Sequence, residues 1–378
     1  MDTIRLQDTL KALAAIPPRP EPFVSLYLDM RVDGTNSRPG LTFFRTAAVH
    51  EARRFGPRGE ALIGFEADVE RIQRYLDFEF DVANQGVAIF CCNGRDFFQA
   101  VPLAVPPNNR LTVAQAPRLF QLAKLASEYE TYCVAVLSRT RARVFTVALG
   151  RIALEAALAR PRHHVTKTAA GGWSQGNYQR HIEHNVQNFA DEVASAIAKV
   201  FQEHQARHLI LAGEPMVLAD LERALPSRQA GLAMTPVRFD ADVPQHQVLA
   251  SVLPILDELE KQQDKLTLER LQSEAEGGDM AVVGVEPTLV ALELAQVDRL
   301  VLSARFNAVG WRCQSCLSYG MGGTPSRCPY CGGEVVPVAL RDSMVGAAER
   351  TAASLEFIED APALDAAGGV GAFLRYGL

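Results

Sequence analysis

Two pairs of cysteines constrain the fold of this chain more than any other feature of its sequence. They are Cys313-Gln-Ser-Cys316 and Cys328-Pro-Tyr-Cys331, and eleven residues separate them. Each pair can hold two thiolates on one side of a metal, and together they form the closed tetrahedron that structural zinc prefers. The spacing predicts a zinc ribbon at about 310–336. Because four cysteines leave no open coordination position, the zinc is expected to stabilise the fold and not to catalyse.

The compartment decides between zinc and the structural alternative, a pair of disulfides. Residues 1–28 lack a basic stretch followed by an apolar run, which predicts no signal peptide. No uninterrupted apolar stretch of the chain has the length that a bilayer requires. We therefore expect a cytosolic protein with no membrane partner, and in the cytosol thiols stay reduced and available to zinc.

Charge is distributed unevenly along the chain, whose formal net charge is −6. Between Arg139 and His208 there are ten Lys and Arg residues against five Asp and Glu, and six of the eight histidines also lie there. A basic middle within an acidic whole predicts one RNA-facing region and argues against a protein that coats nucleic acid indiscriminately. The alternative is a chance cluster of solvated charges.

Hydrophobic periodicity divides the 378 residues into three α/β segments. Residues 1–128 alternate helix and strand patterns and include a hairpin signal at Asn93-Gly94. Residues 129–276 predict a hairpin, a loop, a long helix from near Tyr178, a strand and further helices. Residues 277–378 predict a small α/β/α sandwich into which the cysteine segment is inserted.

A glycine loop precedes the long helix of the middle segment. Its sequence is Gly171-Gly172-Trp173-Ser174-Gln175, and a basic arm containing Arg162, His163, His164 and Lys167 leads into it. Paired glycines alone are common in turns. A flexible tip on a rigid helix, however, suits entry into an RNA cavity. Ser174 has no evident His-Asp partner in the sequence, so a nucleophilic role for it is rejected.

Four motifs in this order resemble the class 1 peptide-chain release factors of archaea and eukaryotes. Those factors carry a Gly-Gly-Gln tip before a long helix, and this chain is similar to a bacterial-type branch with a Gly-Gly-Trp-Ser-Gln tip. The other three resemblances are Leu209-Ile210-Leu211-Ala212-Gly213, the run from Gly284 to Glu293 that begins Gly-Val-Glu-Pro-Thr-Leu, and the run from Gly368 to Tyr376. The resemblance covers most of residues 130–378.

The resemblance implies a three-domain, release-factor-like architecture. Its parts are an N-terminal decoding-type α/β domain, a ribonuclease-H-like middle domain and a C-terminal α/β/α sandwich with the zinc-ribbon insert. The implied partners are the ribosome, rRNA, peptidyl-tRNA and a translational GTPase. No Asn-Ile-Lys-Ser stop-codon motif occurs near Thr35-Asn36-Ser37-Arg38. The expected setting is therefore rescue of stalled ribosomes and not stop-codon reading.

The same resemblance implies hydrolysis of the ester that joins nascent peptide to tRNA. Gly171 and Gly172 would let the backbone enter the peptidyl-transferase centre, and the Gln175 amide would face the developing oxyanion. Trp173 and Ser174 complete the candidate catalytic loop, and the Trp173 ring could stack on a nucleotide base. The candidate RNA contacts are Arg162, His163, His164, Lys167 and Arg180.

Two other functions remain open from the sequence. A nuclease acting on the tRNA acceptor end is one, because a related ribosome quality-control factor has a similarly altered tip. A non-catalytic ribosome-binding adaptor like Pelota is the other. Gly171, Gly172 and Gln175 argue against the adaptor, whereas the inserted Trp173-Ser174 argues for it.

Overall fold

The computed structural model describes most of the chain and shows a mixed α/β protein with several sheets. The described residues are 3–34, 36–56, 59–128, 131–148, 151–160, 174–204, 206, 208–225, 233–237, 243–278, 280–316 and 318–377. Within those ranges, no helix combines the length and the apolar character needed to cross a membrane. From residue 5 onward the chain forms two compact units, one of residues 5–128 with 260–378 and the other of residues 129–259.

The first segment is a four-stranded antiparallel sheet with helices packed against it. Its elements are α1 (Thr3–Ala14), β1 (Phe23–Asp29), α2 (Pro39–Ala52), α3 (Glu60–Phe78), β2 (Gly86–Cys92), β3 (Phe97–Leu103), β4 (Arg110–Ala114) and α4 (Phe120–Glu128). The strand order is β3-β2-β1-β4. Alternate residues of β1, such as Leu26, pack with Phe44 of α2 and Phe65 of α3. This spacing of two along β1 is the one that a pleated strand requires.

The hairpin predicted at Asn93-Gly94 is confirmed, and β2 and β3 pair on either side of it. Residues Asn93–Arg95 form a short 3-10 helix, and Asp96 takes the left-handed backbone conformation, with φ 47°. The Asn93 N–H donates a hydrogen bond to Asp68 Oδ2 at 3.1 Å. A carboxylate on α3 therefore holds the start of the turn. The residues of the turn itself give no indication of this contact.

The second unit has a five-stranded sheet with one long helix packed on it. Its elements are β5 (Tyr132–Leu137), β6 (Arg141–Ala148), β7 (Arg151–Ala159), α5 (Ser174–His204), β8 (His208–Gly213), α6 (Pro215–Ala224) and β9 (Ala233–Val237). The order is β7-β6-β5-β8-β9. β6 is antiparallel to both its neighbours, and β5, β8 and β9 are parallel. This is the ribonuclease-H-like plan that the resemblance implies.

Helix α5 packs on this sheet through the apolar stripe that its sequence predicts. Phe189, Val193 and Ile197 are buried against strand residues such as Cys133 and Leu209. The helix begins at Ser174, one turn earlier than the predicted start near Tyr178. The prediction was late because the first turn carries no apolar residue of the stripe. Strand β7 was not predicted from the sequence, although Ile152, Leu154 and Leu158 follow the spacing of two that a strand shows.

The third segment is a mixed sheet covered by helices, with a ribbon inserted after its second strand. Its elements are α7 (Gln245–Gly277), β10 (Ala281–Val283), α8 (Val285–Glu293), β11 (Val297–Ser303), β12 (Val309–Cys313), β13 (Tyr319–Met321), β14 (Val335–Ala339), α9 (Leu340–Arg350), β15 (Ser354–Ile358), α10 (Pro362–Ala366) and β16 (Val370–Leu374). The main sheet has the order β10-β16-β11-β15. Leu271 of α7 and Leu364 of α10 are buried with Val301 and Phe373 of the sheet. Helices α8 and α9 contact the sheet and each other, as an α/β/α sandwich requires.

The second boundary between segments differs from the predicted one at 276/277. The compact units divide at 259/260, inside α7. Val248 and Val252, early in the helix, are buried with the sheet of residues 129–259, whereas Leu271 is buried with the third sheet. The glycines at 277–278 end the helix, but the change of packing partner occurs in its interior.

The end of the first segment is fastened to the third by a buried carboxylate. Asp342 Oδ1 accepts a hydrogen bond from the Phe120 N–H at 3.0 Å, and its Oδ2 lies 3.5 Å from Arg118 Nη1. The Phe120 ring meets Phe357 edge-on at 5.3 Å between centroids. Lys124 Nζ lies 2.6 Å from Glu359 Oε1. Burial raises the pKa of Asp342, while Arg118 and the Phe120 N–H act in the opposite direction.

Replacing Asp342 by Ala is expected to destabilise this unit by about 3–5 kcal/mol, because it leaves a buried N–H and a guanidinium without their acceptor. Asp342→Asn keeps an acceptor oxygen for Phe120, so a smaller loss is expected. The measurement is urea unfolding followed by Trp311 fluorescence in a Trp173→Phe background. The control is Asp298→Ala, at an exposed aspartate of β11 in the same unit; equal losses in all three variants would contradict the role of Asp342.

A second buried carboxylate, Asp68, lies beneath the first sheet without full hydrogen bonding. Its side chain is fully buried, and within the described part of the chain Oδ1 has no hydrogen-bond partner. Burial raises the pKa of Asp68 to about 6. Cys91 and Cys92 are buried free thiols whose pKa values are raised chiefly by burial. Thiols buried in this way remain protonated and are inert members of the core.

The Asp68 pKa gives this unit a defined pH dependence. The unfolded carboxyl loses its proton near its ordinary pKa of 3.8, and the folded one only near 6, so stability is lost as the pH rises through that window. Asp68→Asn removes the loss. The free energy of unfolding of the Asp68→Asn variant, relative to that of the native chain, is expected to rise by about 1–2 kcal/mol from about pH 4.5 to about pH 7.5. Urea unfolding at both pH values tests this, with the exposed Glu70→Gln as control; a pH-independent difference would refute it.

Candidate metal centre and glycine loop

The four cysteines lie at one end of the three-stranded ribbon, whose strand order is β13-β12-β14. Cys313 ends β12, and the second pair lies in the connection that leads to β14. Cys313 and Cys328 are buried, whereas Cys316 and Cys331 are exposed. The ribbon therefore brings two sequence-distant pairs together and leaves one thiol of each pair at the surface.

The sulphur positions fit a tetrahedral metal site. Cys313 Sγ lies 3.4 Å from Cys331 Sγ, and Cys316 Sγ lies 3.6 Å from Cys328 Sγ. All four sulphurs lie within 4.8 Å of one another. A tetrahedron with metal–sulphur bonds of about 2.3 Å has sulphur separations of about 3.8 Å, whereas a disulfide requires about 2.05 Å. The arrangement can hold a metal ion and is not that of two disulfides.

Backbone groups around the first pair point their hydrogens at sulphur. The N–H groups of Ser315 and Cys316 donate to Cys313 Sγ at 3.3 and 3.4 Å. The Cys313 N–H donates to the Ser318 carbonyl at 2.9 Å, which closes the turn. Hydrogen bonds of this kind hold the ligands in place and stabilise thiolates.

The second pair turns tightly through two glycines. The Gly332 N–H donates to the Cys328 carbonyl and the Cys328 N–H to the Gly333 carbonyl, each at 2.9 Å. Gly332 has φ +73°, which L side chains rarely adopt, and a Cβ at Gly333 would lie 2.4 Å from Ser315 Oγ. Glycine is therefore required at both positions if the two turns are to approach each other.

Neighbouring groups favour the thiolate form at two of the four cysteines. The Cys316 and Ser315 N–H groups hold the pKa of Cys313 below its usual range. The Ser318 hydroxyl, which lies 3.4 Å from the sulphur, lowers the pKa of Cys316 to about 6. At Cys331 the Gly333 N–H acts in the same direction, but the adjacent thiols outweigh it and raise the pKa to about 12. Four thiolates at this distance repel one another, and a cation among them removes that repulsion. Sequence spacing found the four ligands but missed Ser318, although it lies only two residues after Cys316.

Apart from the cysteines, the ribbon buries little. Its core consists of Trp311, Cys313 and Cys328, with Val335 packed against them. The Trp311 ring packs directly against Gly320. A Cβ atom at position 320 would lie 2.3 Å from the ring, so no larger residue fits. So small a core does not stabilise a fold alone, and such ribbons depend on their metal.

Most residues of the predicted glycine loop lie outside the described part of the chain. This applies to Gly171, Gly172 and Trp173, and also to Arg162, His163, His164 and Lys167. Ser174 and Gln175 are the first two residues of α5, and Arg180 lies in its second turn. The predicted roles of all these residues remain predictions.

Comparison with known proteins relates the chain to release factors. Residues 117–256, a stretch that includes 171–175, match the family described as bacterial archaeo-eukaryotic release factor family 10. Peptide chain release factor subunit 1 of Thermococcus onnurineus (strain NA1) is 26% identical over 242 residues, which are 56% of this chain and 58% of that relative. The match thus spans little more than half the length of the relative. Together these matches confirm the predicted resemblance to the archaeal and eukaryotic release factors.

Solved structures with similarity to this chain include three translation factors. The archaeal translation termination factor aRF1 is 16% identical, with 99% of this chain and 98% of that one covered and a TM-score of 0.26. Archaeal Pelota, from a model of ribosome-bound Pelota and ABCE1, is 12% identical, with 99% and 94% covered and a TM-score of 0.45. Dom34 of S. cerevisiae is 13% identical, with 79% and 82% covered and a TM-score of 0.43.

The sulphur geometry predicts one tightly bound metal ion per purified chain. Cys316→Ser and Cys331→Ser each remove one exposed ligand, and each is expected to lower the bound metal severalfold because a neutral hydroxyl is a poor replacement for thiolate. Elemental analysis after gel filtration measures this. Ser326→Ala, at an exposed position between the pairs, is the control and should keep its metal. Metal-free native protein with four free thiols would contradict the assignment.

Proposed function

We propose that this chain is a member of the archaeal and eukaryotic release-factor family that binds the ribosome and hydrolyses the ester of peptidyl-tRNA in rescue of stalled ribosomes. The observation that carries the proposal is the family match over residues 117–256, which contains the whole Gly171–Gln175 segment. The other release-factor-like motifs follow in the expected order. The proposed partners are the ribosome, rRNA, peptidyl-tRNA and a translational GTPase.

The start of α5 supports a role for the Gln175 backbone. The helix begins at Ser174, so the Gln175 N–H is among the first four, which have no acceptor within the helix. These N–H groups form the positive end of the helix dipole. We propose that the Gln175 N–H donates to the oxygen that becomes negative when water attacks the ester carbonyl.

The chemistry requires only water besides the substrate. Water adds to the ester carbonyl carbon, the carbonyl oxygen becomes an oxyanion, and the bond to the ribose oxygen of tRNA then breaks. The products are a free peptide carboxylate and a tRNA with a free ribose hydroxyl. In this proposal Gly171 and Gly172 allow close backbone approach, and the Gln175 side chain helps to define the water position. The ribosome and tRNA supply proton transfer, so no protein base is assigned.

The basic arm and the tryptophan are assigned to RNA contact. Arg162, His163, His164 and Lys167 would bind rRNA phosphates and position the loop without reading sequence. Arg180 would do the same from the second turn of α5. Trp173 would stack on a base, a contact that is worth about 1–3 kcal/mol in single-strand binding proteins.

The ion of the cysteine cluster is proposed to be zinc with a structural role. Four thiolates are soft ligands that select zinc over magnesium or calcium, and they leave no open position for substrate. The zinc would hold the ribbon of residues 309–339 in shape.

A second candidate function rests on the insertion within the tip. Trp173 and Ser174 stand between the glycines and Gln175, so the glutamine amide lies two residues further from the glycines than in a Gly-Gly-Gln tip. If the loop does not compensate, the chain would bind the ribosome as an adaptor. The third candidate function for a chain with this altered tip is a nuclease that cuts the tRNA acceptor end.

Gln175→Ala and Gly171→Ala are each expected to slow peptide release at least tenfold while leaving ribosome binding intact. The first removes the side chain that helps to define the water position, and the second hinders the close approach of the backbone to the ester. The assay incubates the full chain with stalled ribosomes that carry labelled peptidyl-tRNA. The matched control is Gln187→Ala, at an exposed glutamine of the same helix, which should release peptide at the native rate.

The products distinguish the three functions. Free peptide with intact tRNA supports hydrolysis, and peptide that keeps a short nucleotide tail supports the nuclease. Demonstrated binding without cleavage would leave only the adaptor. Native release rates in both loop variants would remove the loop from the mechanism.

A further inference from the structure

A cleft that borders the metal centre at Cys316 lies within the unit formed by residues 5–128 and 260–378. It consists of two adjoining cavities of about 310 and about 640 Å³. Both are lined by Ile16, Arg312, Tyr319, Ser343 and Arg350, so they form one continuous space. Its walls come mainly from residues 13–18, 113–119 and 289–351, and the last of these stretches includes α8, the ribbon and α9. The larger cavity has the volume typical of sites for small organic ligands.

The polar part of the cleft is cationic. The Arg312 guanidinium lies over the Tyr319 ring at 5.5 Å, and within the described part of the chain its buried Nε has no hydrogen-bond acceptor. A guanidinium held flat on an aromatic ring has a fixed set of N–H donors along its edge. A buried donor of this kind needs an acceptor, and a ligand can supply it.

The other charged groups that line the cleft are either basic or already engaged. Arg350 is exposed, and no acidic side chain forms an ion pair with it among the residues described. Glu293 accepts the Tyr319 N–H at 2.8 Å. Asp342 is occupied by Arg118 and Phe120. The cleft therefore presents an excess of positive charge.

The larger cavity also has apolar lining residues. They include Ile16, Leu292, Leu294 and Met344. The hydroxyl-bearing residues Ser318, Ser343 and Thr351 line the same cavity. A ligand that fills the space must combine an anionic group, hydrogen-bonding groups and a flat or compact apolar part.

We infer that this cleft binds a nucleoside monophosphate, with the phosphate against Arg312 and Arg350 and the base against the apolar lining residues. A phosphate offers three acceptor oxygens, which suits two guanidinium groups and adjacent hydroxyls better than the two oxygens of a carboxylate. The ribose hydroxyls can reach the serine and threonine hydroxyls, and a base buries its faces against leucine and methionine. The site does not depend on peptidyl-tRNA hydrolysis or on residues 171–175.

Isothermal titration of the metal-loaded full chain with AMP, GMP, CMP and UMP tests the inference, with inorganic phosphate and adenosine as partial probes. At least one nucleotide is expected to bind more tightly than either partial probe. Arg312→Gln and Arg350→Gln are each expected to weaken that binding about tenfold or more, because each removes charged donors to phosphate. Arg305→Gln, at an exposed arginine outside the cleft, is the matched control and should bind like the native chain.

Arg350 lies far in sequence from the cysteines, so its variant remains informative if Arg312→Gln disturbs the ribbon; metal content is measured for both. Binding that is lost in Arg350→Gln with full metal content supports the site. Three results would overturn it: no heat from any nucleotide, inorganic phosphate binding as tightly as the nucleotides, or unchanged affinity in both cleft variants.

Discussion

The buried carboxylate of Asp342 is the contact on which the arrangement of the larger unit depends. On one side, Arg118 is tied to the first sheet, because its N–H donates to Ser25 Oγ at 3.0 Å and its carbonyl accepts the Tyr27 hydroxyl at 2.7 Å. On the other, Arg118 and the Phe120 N–H meet Asp342 at the start of α9. A buried carboxylate is unfavourable unless ionic and hydrogen-bonding partners surround it. Those partners exist only when residues 118–120 lie against α9, so the carboxylate ties folding of the first segment to folding of the third.

The position of the ribbon depends on the same contacts of Asp342. β14 ends at Ala339 and α9 begins at Leu340, so no flexible linker separates the metal-bearing insert from the helix that carries Asp342. The Leu340 N–H donates to the Ala308 carbonyl at 3.0 Å, which closes the insert at its base. A metal ion held by the cysteines would have a local role at the tip of the ribbon, where, among the described residues, the hydrophobic cluster consists of Trp311 and Val335 with Cys313 and Cys328. The cationic cleft is lined by both elements, since Arg312 belongs to the ribbon and Arg350 to α9.

The sequence predicted those features whose causes are local, and missed those whose causes are distant. The four cysteines were assigned correctly as one cluster, because metal ligation requires a spacing that the chain displays directly. The stripe of α5 was recognised because helical periodicity repeats over several turns. The turn after β2 lies at Asn93-Gly94 as predicted, but its hydrogen bond to Asp68, 25 residues earlier, was missed. The division of α7 between two hydrophobic cores and the contacts of Asp342 were also missed, since neither produces a recognisable pattern in the local sequence. The cleft was missed for the same reason, because its walls come from three separate parts of the chain.

The start of α5 sharpens the chemical question that the inserted Trp173-Ser174 raises. In a tip where glutamine directly follows two glycines, the glutamine N–H owes its direction to glycine conformations alone. Here Gln175 is the second residue of a helix of 31 residues, so its N–H direction follows from the helix axis. A rigid, dipole-aligned donor can stabilise an oxyanion without the loop ordering cost that a free glycine tip incurs. In the proposed mechanism, the insertion would therefore make the Gln175 N–H less flexible and orient it before the substrate binds. Trp173, immediately before the helix, becomes the residue whose stacking would bring that helix end to the ester.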